Sequence, residues 1–205
     1  MRLTGPIARA HPEHEGYRRK WFKSPPARKC LYERYRFCNK YIKGKTVLDI
    51  PCGVGWGTSL LKGARRVHGV DLSDEAIEYA RSHFGRRACF SMGNMNELSF
   101  SDDSFDVIIC LEGLEHVEPA IARAFLQEAR RVLKAGGLFI ATAPLLTDGR
   151  HSGNPYHIHE FEMKEAEEML CDHFRTIMLE QFEGPGAREI RFVGENVKPR
   201  ASLDE

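Results

Sequence analysis

One stretch, Thr46-Val47-Leu48-Asp49-Ile50-Pro51-Cys52-Gly53-Val54-Gly55-Trp56-Gly57-Thr58, limits what this chain can fold into more than any other. A short β-branched and apolar run ends in an acid and passes into glycines at alternate positions, so a buried strand must turn tightly into a helix. The glycines let backbone approach a bound molecule, and the unpaired amides opening the helix favour an anionic or electron-rich group. Turns of this kind serve nucleotides, dinucleotides and plain structural corners alike. The next apolar run narrows the choice. Val67-His68-Gly69-Val70-Asp71 closes on a carboxylate about 20 residues downstream, where an open α/β sheet places the acid that takes ribose hydroxyls. A dinucleotide fingerprint needs its third glycine three residues after the second; here that position is Thr58, with Gly57 one place early. Asp49 also sets a carboxylate near the charged part of the ligand, which suits a cation better than a diphosphate. The pattern favours a nucleoside carrying an amine or sulfonium.

The rest of the chain alternates strand and helix, which predicts a parallel sheet with right-handed crossovers. Pro25-Pro26 opens a helix whose apolar positions Ala27, Leu31, Tyr35, Cys38 and Ile42 recur at helical spacing, and Gly44 ends it. Arg34 and Tyr35 are read here as part of an ordinary amphipathic face rather than as binding groups. A helix over residues 58–62 follows the glycines. Ser73 caps the next helix, with Asp74 and Glu75 in its first turn and Ile77, Ala80 and Phe84 on its inner stripe. Residues 88–91 read as a short third strand, 105–110 as a central strand covered on both faces, 119–134 as a helix and 138–143 as a fifth strand. A helix over 162–173 precedes two runs, 176–182 and 189–193, that form an antiparallel hairpin around Glu183-Gly184-Pro185-Gly186. The ligand site belongs where strand order reverses, between the first and fourth strands. Residues 144–161, with Gly, Pro, His151, Tyr156, His157, His159 and Glu160, read as a lid. Residues 1–24 are an N-terminal arm or cover, 25–194 the main domain and 195–205 a frayed tail.

A chain of 205 residues, 42% of them hydrophobic, can fill one substantial core. A formal charge of +1 gives no field that would gather nucleic acid or a membrane surface, so a small molecule is the expected substrate. The six cysteines show no paired metal-ligand spacing and several lie inside apolar patterns, which argues for a reducing compartment. With no apolar leader at the start and no run long enough to span a bilayer, the expected location is cytoplasmic.

Beyond the first stretch, Gly69-Val70-Asp71-Leu72-Ser73, Ser104-Phe105-Asp106-Val107, Glu115-His116-Val117 and Arg131-Val132-Leu133-Lys134-Ala135-Gly136-Gly137 complete a set of motifs. Together they resemble class I S-adenosylmethionine-dependent methyltransferases of the type 11-like branch, across residues 29–193. The resemblance implies a Rossmann-like, doubly wound α/β fold: a seven-stranded sheet, mostly parallel with an antiparallel last strand, and helices on both faces. It implies S-adenosylmethionine as cofactor. Asp49, Gly53, Gly55 and Gly57 would hold its methionine part, with Pro51 and Cys52 in the same cradle. Asp71 would take the ribose hydroxyls, with Leu72 beside it. Asn94 and Met95 would meet the adenine, and Leu111 would give the carbonyl next to the sulfonium. Pro51 stands where the family frequently has glycine. Asn94 stands where it frequently has an acid, although an amide oxygen can also accept from the adenine amino group. A narrower similarity, in Arg34-Tyr35, Asn154-Pro155-Tyr156-His157-Ile158-His159-Glu160-Phe161, Phe174 and Gln181, points to methyltransferases that accompany glycosyltransferases in polysaccharide pathways. It implies a glycan or related small-molecule acceptor, methylated at a hydroxyl.

Methyl transfer from a sulfonium needs an in-line nucleophile at near-attack distance, and an alcohol acceptor also needs a base. His116, His157, His159 and Glu160 are the candidates, since a neutral imidazole can take a proton near pH 7. His157, beside Tyr156 on the lid, is preferred; His116 competes with it, and His159 alternates to the far side of an extended segment. No metal is assigned, because His157, His159 and Glu160 on an extended loop come with no fourth ligand. No serine or cysteine nucleophile is called for, and Cys52 reads as packing. A reading from another class is a non-catalytic methyltransferase-like partner or scaffold. A spoiled cofactor pocket would mark it, whereas here the glycines and Asp71 are intact. A homodimer is compatible with the sequence and left open.

Overall fold

Residues 105–111 carry the most continuous apolar run, and they form the buried middle of the molecule. In the computed structural model, which describes residues 25–146, 149–184 and 187–198, the elements in chain order are α1 (Pro25–Cys38), β1 (Thr46–Asp49), β2 (Arg66–Asp71), α2 (Asp74–Phe84), β3 (Cys89–Met92), β4 (Phe105–Leu111), α3 (Pro119–Val132), β5 (Leu133–Pro144), α4 (Met163–Cys171), β6 (Arg175–Gly184) and β7 (Ala187–Glu195). The expected N-terminal arm lies outside the described residues. The strands make one seven-stranded sheet in the order β3-β2-β1-β4-β5-β7-β6. The first five are mutually parallel, and β7 is antiparallel to both β5 and β6, as the fold class requires.

Side chains alternate across β4 with the strand period of two. Ile108 and Cys110 join Phe125, Leu126 and Ala129 of α3 and Met169 and Leu170 of α4, whereas Val107, Ile109 and Leu111 join Tyr35 and Cys38 of α1 and Ile77 and Ala80 of α2. Two helix layers thus sandwich the sheet, which is why both faces of β4 are apolar. Fully burying a large apolar side chain such as Phe125 contributes roughly 1.5–3 kcal/mol.

Three local expectations differ, the first being that α1 stops at Cys38, with turns rather than helix carrying the chain past Ile42 to Gly44. The helix over 58–62 is a single 3-10 turn, Thr58–Leu60, because Leu61 returns to an extended conformation at once. β5 begins at Leu133, not at residue 138. Gly136 and Gly137 extend the strand since their backbone exchanges hydrogen bonds with Asn196, at 2.9 and 2.8 Å. Asn196, which the sequence places in the tail, is fully buried, and its side-chain amide donates to the Arg130 and Leu133 carbonyls. Ser73 caps α2 as expected, accepting from the Ala76 amide at 3.0 Å. All six cysteines are free thiols, and among the described residues no helix is long and apolar enough to cross a membrane.

Candidate functional site

The C-terminal ends of β1, β2 and β4 meet where the chain order of the sheet reverses. The turn after β1 is stitched to both neighbours: the Ile50 amide donates to the Ile109 carbonyl at 2.9 Å and the Cys52 amide to the Val70 carbonyl at 2.8 Å. The Gly53 amide then donates to Asp71 Oδ2 at 2.8 Å, and the Ser73 amide to Asp71 Oδ1 at 3.0 Å. Burial raises the pKa of Asp71, and these amides act against that rise. A carboxylate has about four acceptor sites, so Asp71 keeps capacity for two more donors.

Two glycines are required by space. Gly55 has φ of 75°, and a Cβ there would stand 2.8 Å from Ala80 and Phe90. A Cβ on Gly57 would overlap the Tyr35 ring. That ring closes the back of the cradle, where Asp49 is fully buried. Thr58 Oγ1 donates to Asp49 Oδ2 at 2.6 Å and the Tyr35 hydroxyl to the same oxygen at 3.3 Å. Asp49 Oδ1 accepts from no described residue. Burial lifts the Asp49 pKa from 3.8 to about 7, although both hydroxyls pull the other way.

These elements open onto a cavity of about 660 Å³, a size suited to a small ligand. On the side of β2 and β3 its wall is Pro51, Cys52, Gly53 and Gly57 of the cradle, Asp71 and Leu72, and Asn94 and Met95. On the side of β4 and β5 the wall is Leu111, Glu112, Glu115 and His116, with Asn154, Tyr156 and His157 from the lid segment and Arg34 and Tyr35 from α1. Of the expected residues, Asp49, Gly55, His159 and Glu160 stand behind the wall or away from it, while His116 and His157 come together in it with ring centroids 5.2 Å apart.

The reading of Arg34 and Tyr35 as an ordinary amphipathic face is overturned, since both are buried and face the cavity. Arg34 donates through Nε and Nη2 to Glu189 Oε2, at 2.8 and 2.5 Å, and Nη2 lies 3.0 Å from Glu112 Oε2. Arg191 Nε donates to Glu189 Oε1 at 2.8 Å. Burial alone would lower the pKa of Arg34, but Glu112 and Glu189 outweigh it and raise it. Glu189 reaches the site because β7 runs antiparallel, so its first residues lie beside Pro144 at the ligand edge. Glu112 has φ of 54°, in the left-handed region, a strained setting that persists only where the surroundings hold it. Thr142 holds it, donating from Oγ1 to Glu112 Oε1 and accepting from the Glu112 amide, both at 3.0 Å.

Glu115 is also fully buried, and neither of its carboxylate oxygens has a hydrogen-bond partner. Burial and the nearby Glu112 push its pKa well up. Its backbone carbonyl accepts from the Ile158 and His159 amides, which ties the lid segment to the turn after β4. His116 Nδ1 lies 2.9 Å from the Tyr156 carbonyl, so it carries the proton and donates there. His157 Nδ1 lies 2.5 Å from Glu160 Oε1, and its Nε2 lies 2.8 Å from Asn154 Nδ2. Burial would raise the Glu160 pKa, but donors from Ser152 and His157 overcome it and lower it. His159 turns away to Glu165, at 2.7 Å, as the alternation predicts.

The residues missed by sequence reasoning are thus Glu112, Glu115, Glu189 and Arg191. The first two had a signal, acids directly after a buried strand. The last two lie on a strand whose antiparallel insertion alone brings them here.

A family model described as a methyltransferase domain matches residues 47–137. A probable S-adenosylmethionine-dependent methyltransferase of Mycolicibacterium smegmatis is 33% identical over 132 residues, which is 62% of this chain and 50% of that protein. The O-methyltransferase cnsE of Penicillium expansum is 27% identical over 170 residues, 80% of this chain and 60% of that protein. Among solved structures, the PH0226 protein of Pyrococcus horikoshii superposes with a TM-score of 0.73 at 24% identity, covering 96% of this chain and 100% of that one. The chain spans about half the length of the curated relatives it matches.

Proposed function

We propose that this chain, which matches a methyltransferase domain over residues 47–137 and resembles S-adenosylmethionine-dependent methyltransferases, moves a methyl group from S-adenosylmethionine to a hydroxyl oxygen of a small molecule or glycan. The observation that carries this reading is one cavity whose wall holds Asp71 on the β2 side and paired imidazoles, His116 and His157, on the β4 side. The cofactor, when bound, supplies a methyl group already activated on a sulfonium, so no nucleophile from the chain is needed.

The fit rests on features of the wall. Asp71 takes the ribose hydroxyls on the acceptor sites left by the Gly53 and Ser73 amides. Leu72 and Met95 flank the adenine, Asn94 meets its polar edge, and Leu111 offers a carbonyl near the sulfonium. Gly53 and Gly57 leave room for the methionine part, and Cys52 and Pro51 pack below it. Asp49 acts one layer back, where it positions Tyr35 and Thr58.

We assign the role of base to His116. Its Nδ1 proton is committed to the Tyr156 carbonyl, which leaves the lone pair on Nε2. The Asn154 amide orientation is set by Tyr156, whose amide donates to Asn154 Oδ1 at 3.1 Å, so Asn154 Nδ2 donates to His157 Nε2. Both nitrogens of His157 are then engaged, and it serves to position the acceptor. The O-methyltransferase among the relatives supports oxygen as the acceptor atom.

The test is incubation with methyl-labelled S-adenosylmethionine and a panel of sugars, nucleotide sugars and phenols. The expected result is label in an ether product with an equivalent of S-adenosylhomocysteine. Label only in amine or carbon acceptors would overturn the oxygen assignment. A folded protein that binds no S-adenosylmethionine would overturn the whole reading in favour of a non-catalytic partner protein.

A further inference from the structure

We propose that Glu115, His116 and His157 form a binding site for a divalent transition-metal ion on the β4 side of the cavity. Each of the three offers one ligand atom, and these atoms lie within 4.8 Å of one another. Bonds of about 2.0–2.2 Å from such an ion to nitrogen or oxygen set ligand atoms up to about 4 Å apart, so side-chain rotation alone closes the set.

Glu115 is the independent sign of a ligand. Its side chain is wholly buried in the cavity wall, yet both carboxylate oxygens lack hydrogen-bond partners, and a buried carboxyl left in this way is costly. The neighbouring acids do not share this need. Glu189 is held by Arg34 and Arg191, and Glu112 by Arg34 and Thr142. Those two guanidiniums are thus spent on Glu112 and Glu189, and Glu115 is left for a cation.

The imidazoles are arranged as ligands are. A metal-bound histidine donates its other ring N–H to a carboxylate or a backbone carbonyl, which fixes the ring and raises its basicity. His116 has the Tyr156 carbonyl in that place, and His157 has the Glu160 carboxylate, so His157 would ligate through Nε2, with the ion displacing the Asn154 amide that donates there at 2.8 Å. Glu160 is in turn fixed by the Ser152 amide at 2.7 Å and by the Ser152 hydroxyl. His116 Nε2, already 3.7 Å from Glu115 Oε1, is the ligating atom of its ring; an ion there occupies the lone pair assigned above to the base, so the two roles of His116 are alternatives. Two imidazoles with one carboxylate suit zinc, cobalt, iron or manganese better than calcium or magnesium, and leave coordination positions open toward the cavity. Those positions suit an oxygen of the acceptor, a part of the inference that rests on the methyl-transfer reading; the ion site does not.

The test uses the full chain without an added histidine tag, stripped with a chelator and titrated calorimetrically with ZnCl2, then with CoCl2 while the visible spectrum is followed. One equivalent should bind at micromolar or lower Kd, and cobalt should give d–d absorption. Glu115→Gln and His157→Ala should each weaken binding at least tenfold, whereas S-adenosylhomocysteine binding and the melting temperature of the Gln variant stay near wild type. Absence of zinc and cobalt binding by folded wild-type protein would overturn the site. So would binding that both variants retain unchanged. Neither result touches the cofactor assignment, which the S-adenosylhomocysteine titration reads separately.

Discussion

The two sides of the cavity are built in different ways. On the β2 side the wall is mainly backbone and short side chains, arranged by turns that follow β1, β2 and β3, and each contact lies within a few residues of a strand end. Gly53 reaches Asp71 across 18 positions, and Asp71 reaches Ser73 across two. On the β4 side the wall is drawn from α1, the turn after β4 and residues 154–157, and a charged network that reaches β7 stands behind it. Arg34 and Glu189 meet across 155 positions. The difference teaches that one wall can be written into local spacing while the other is assembled by the topology, which is the division the proposed cofactor and acceptor sites would use.

The largest effect should come from breaking the β4 side at its centre. Arg34→Ala leaves the buried Glu189 with Arg191 alone and the half-buried Glu112 with no guanidinium, and removing one partner of a buried ion pair such as Arg34–Glu189 costs about 3–5 kcal/mol. Thermal unfolding should show a large fall in melting temperature. Combining Arg34→Met with Glu112→Gln and Glu189→Gln should recover much of it, because the uncompensated charges are gone. An unchanged melting temperature for Arg34→Ala would mean that the network is not a buried unit.

His116→Ala comes next and reports on chemistry. A positioned base contributes on the order of 10²-fold or more to turnover, so kcat for a hydroxyl acceptor should fall by about that factor. A parallel series with an acceptor that ionises more readily should show a smaller loss. If His157→Ala is the slower enzyme and His116→Ala retains full kcat, the tautomer argument from the Tyr156 carbonyl is wrong.

These two predictions concern residues that the sequence treated unequally. His116 and His157 were legible as candidates because imidazoles after a strand end and on a long loop are few. The choice between them was not, since it turns on which ring nitrogen each neighbour occupies. Arg34 sits at helical spacing among apolar positions, and nothing local separates a guanidinium that faces solvent from one that faces a cavity. Glu189 was illegible for a stronger reason: only the insertion of β7 between β5 and β6 carries it to the ligand edge. By contrast the sheet, the two helix layers and the cradle follow from periodicity and glycine spacing. The exceptions were the end of α1, the helix after the cradle, shortened to a 3-10 turn, and the start of β5, where Asn196 pairs with glycines that would otherwise end an element.

Asp49 gives a smaller effect on the β2 side, with a definite sign. Its folded pKa, about 7, lies above the ordinary 3.8, so the folded state holds a proton that the unfolded chain has released. Its contribution is complete below the unfolded pKa and is lost as pH rises through the folded one, at up to about 1.4 kcal/mol per pH unit. Between pH 5 and 7 the wild-type protein should therefore lose about 2–3 kcal/mol more stability than Asp49→Asn, as read by urea unfolding. Parallel pH profiles for the two proteins would contradict the burial of an unpartnered carboxyl behind Tyr35.

The central claim is that cofactor binding and acceptor chemistry occupy opposite sides of one cavity, and calorimetric titration with S-adenosylhomocysteine tests it most directly. Wild-type protein should bind selectively over NAD. Asp71→Ala should lose about 2 kcal/mol, near thirtyfold in affinity, for the hydrogen bonds to a charged acceptor that it removes. His116→Ala should bind as wild type does. Equal losses in both variants, or an unaltered affinity in a folded Asp71→Ala protein, would contradict the division of the cavity into two sides.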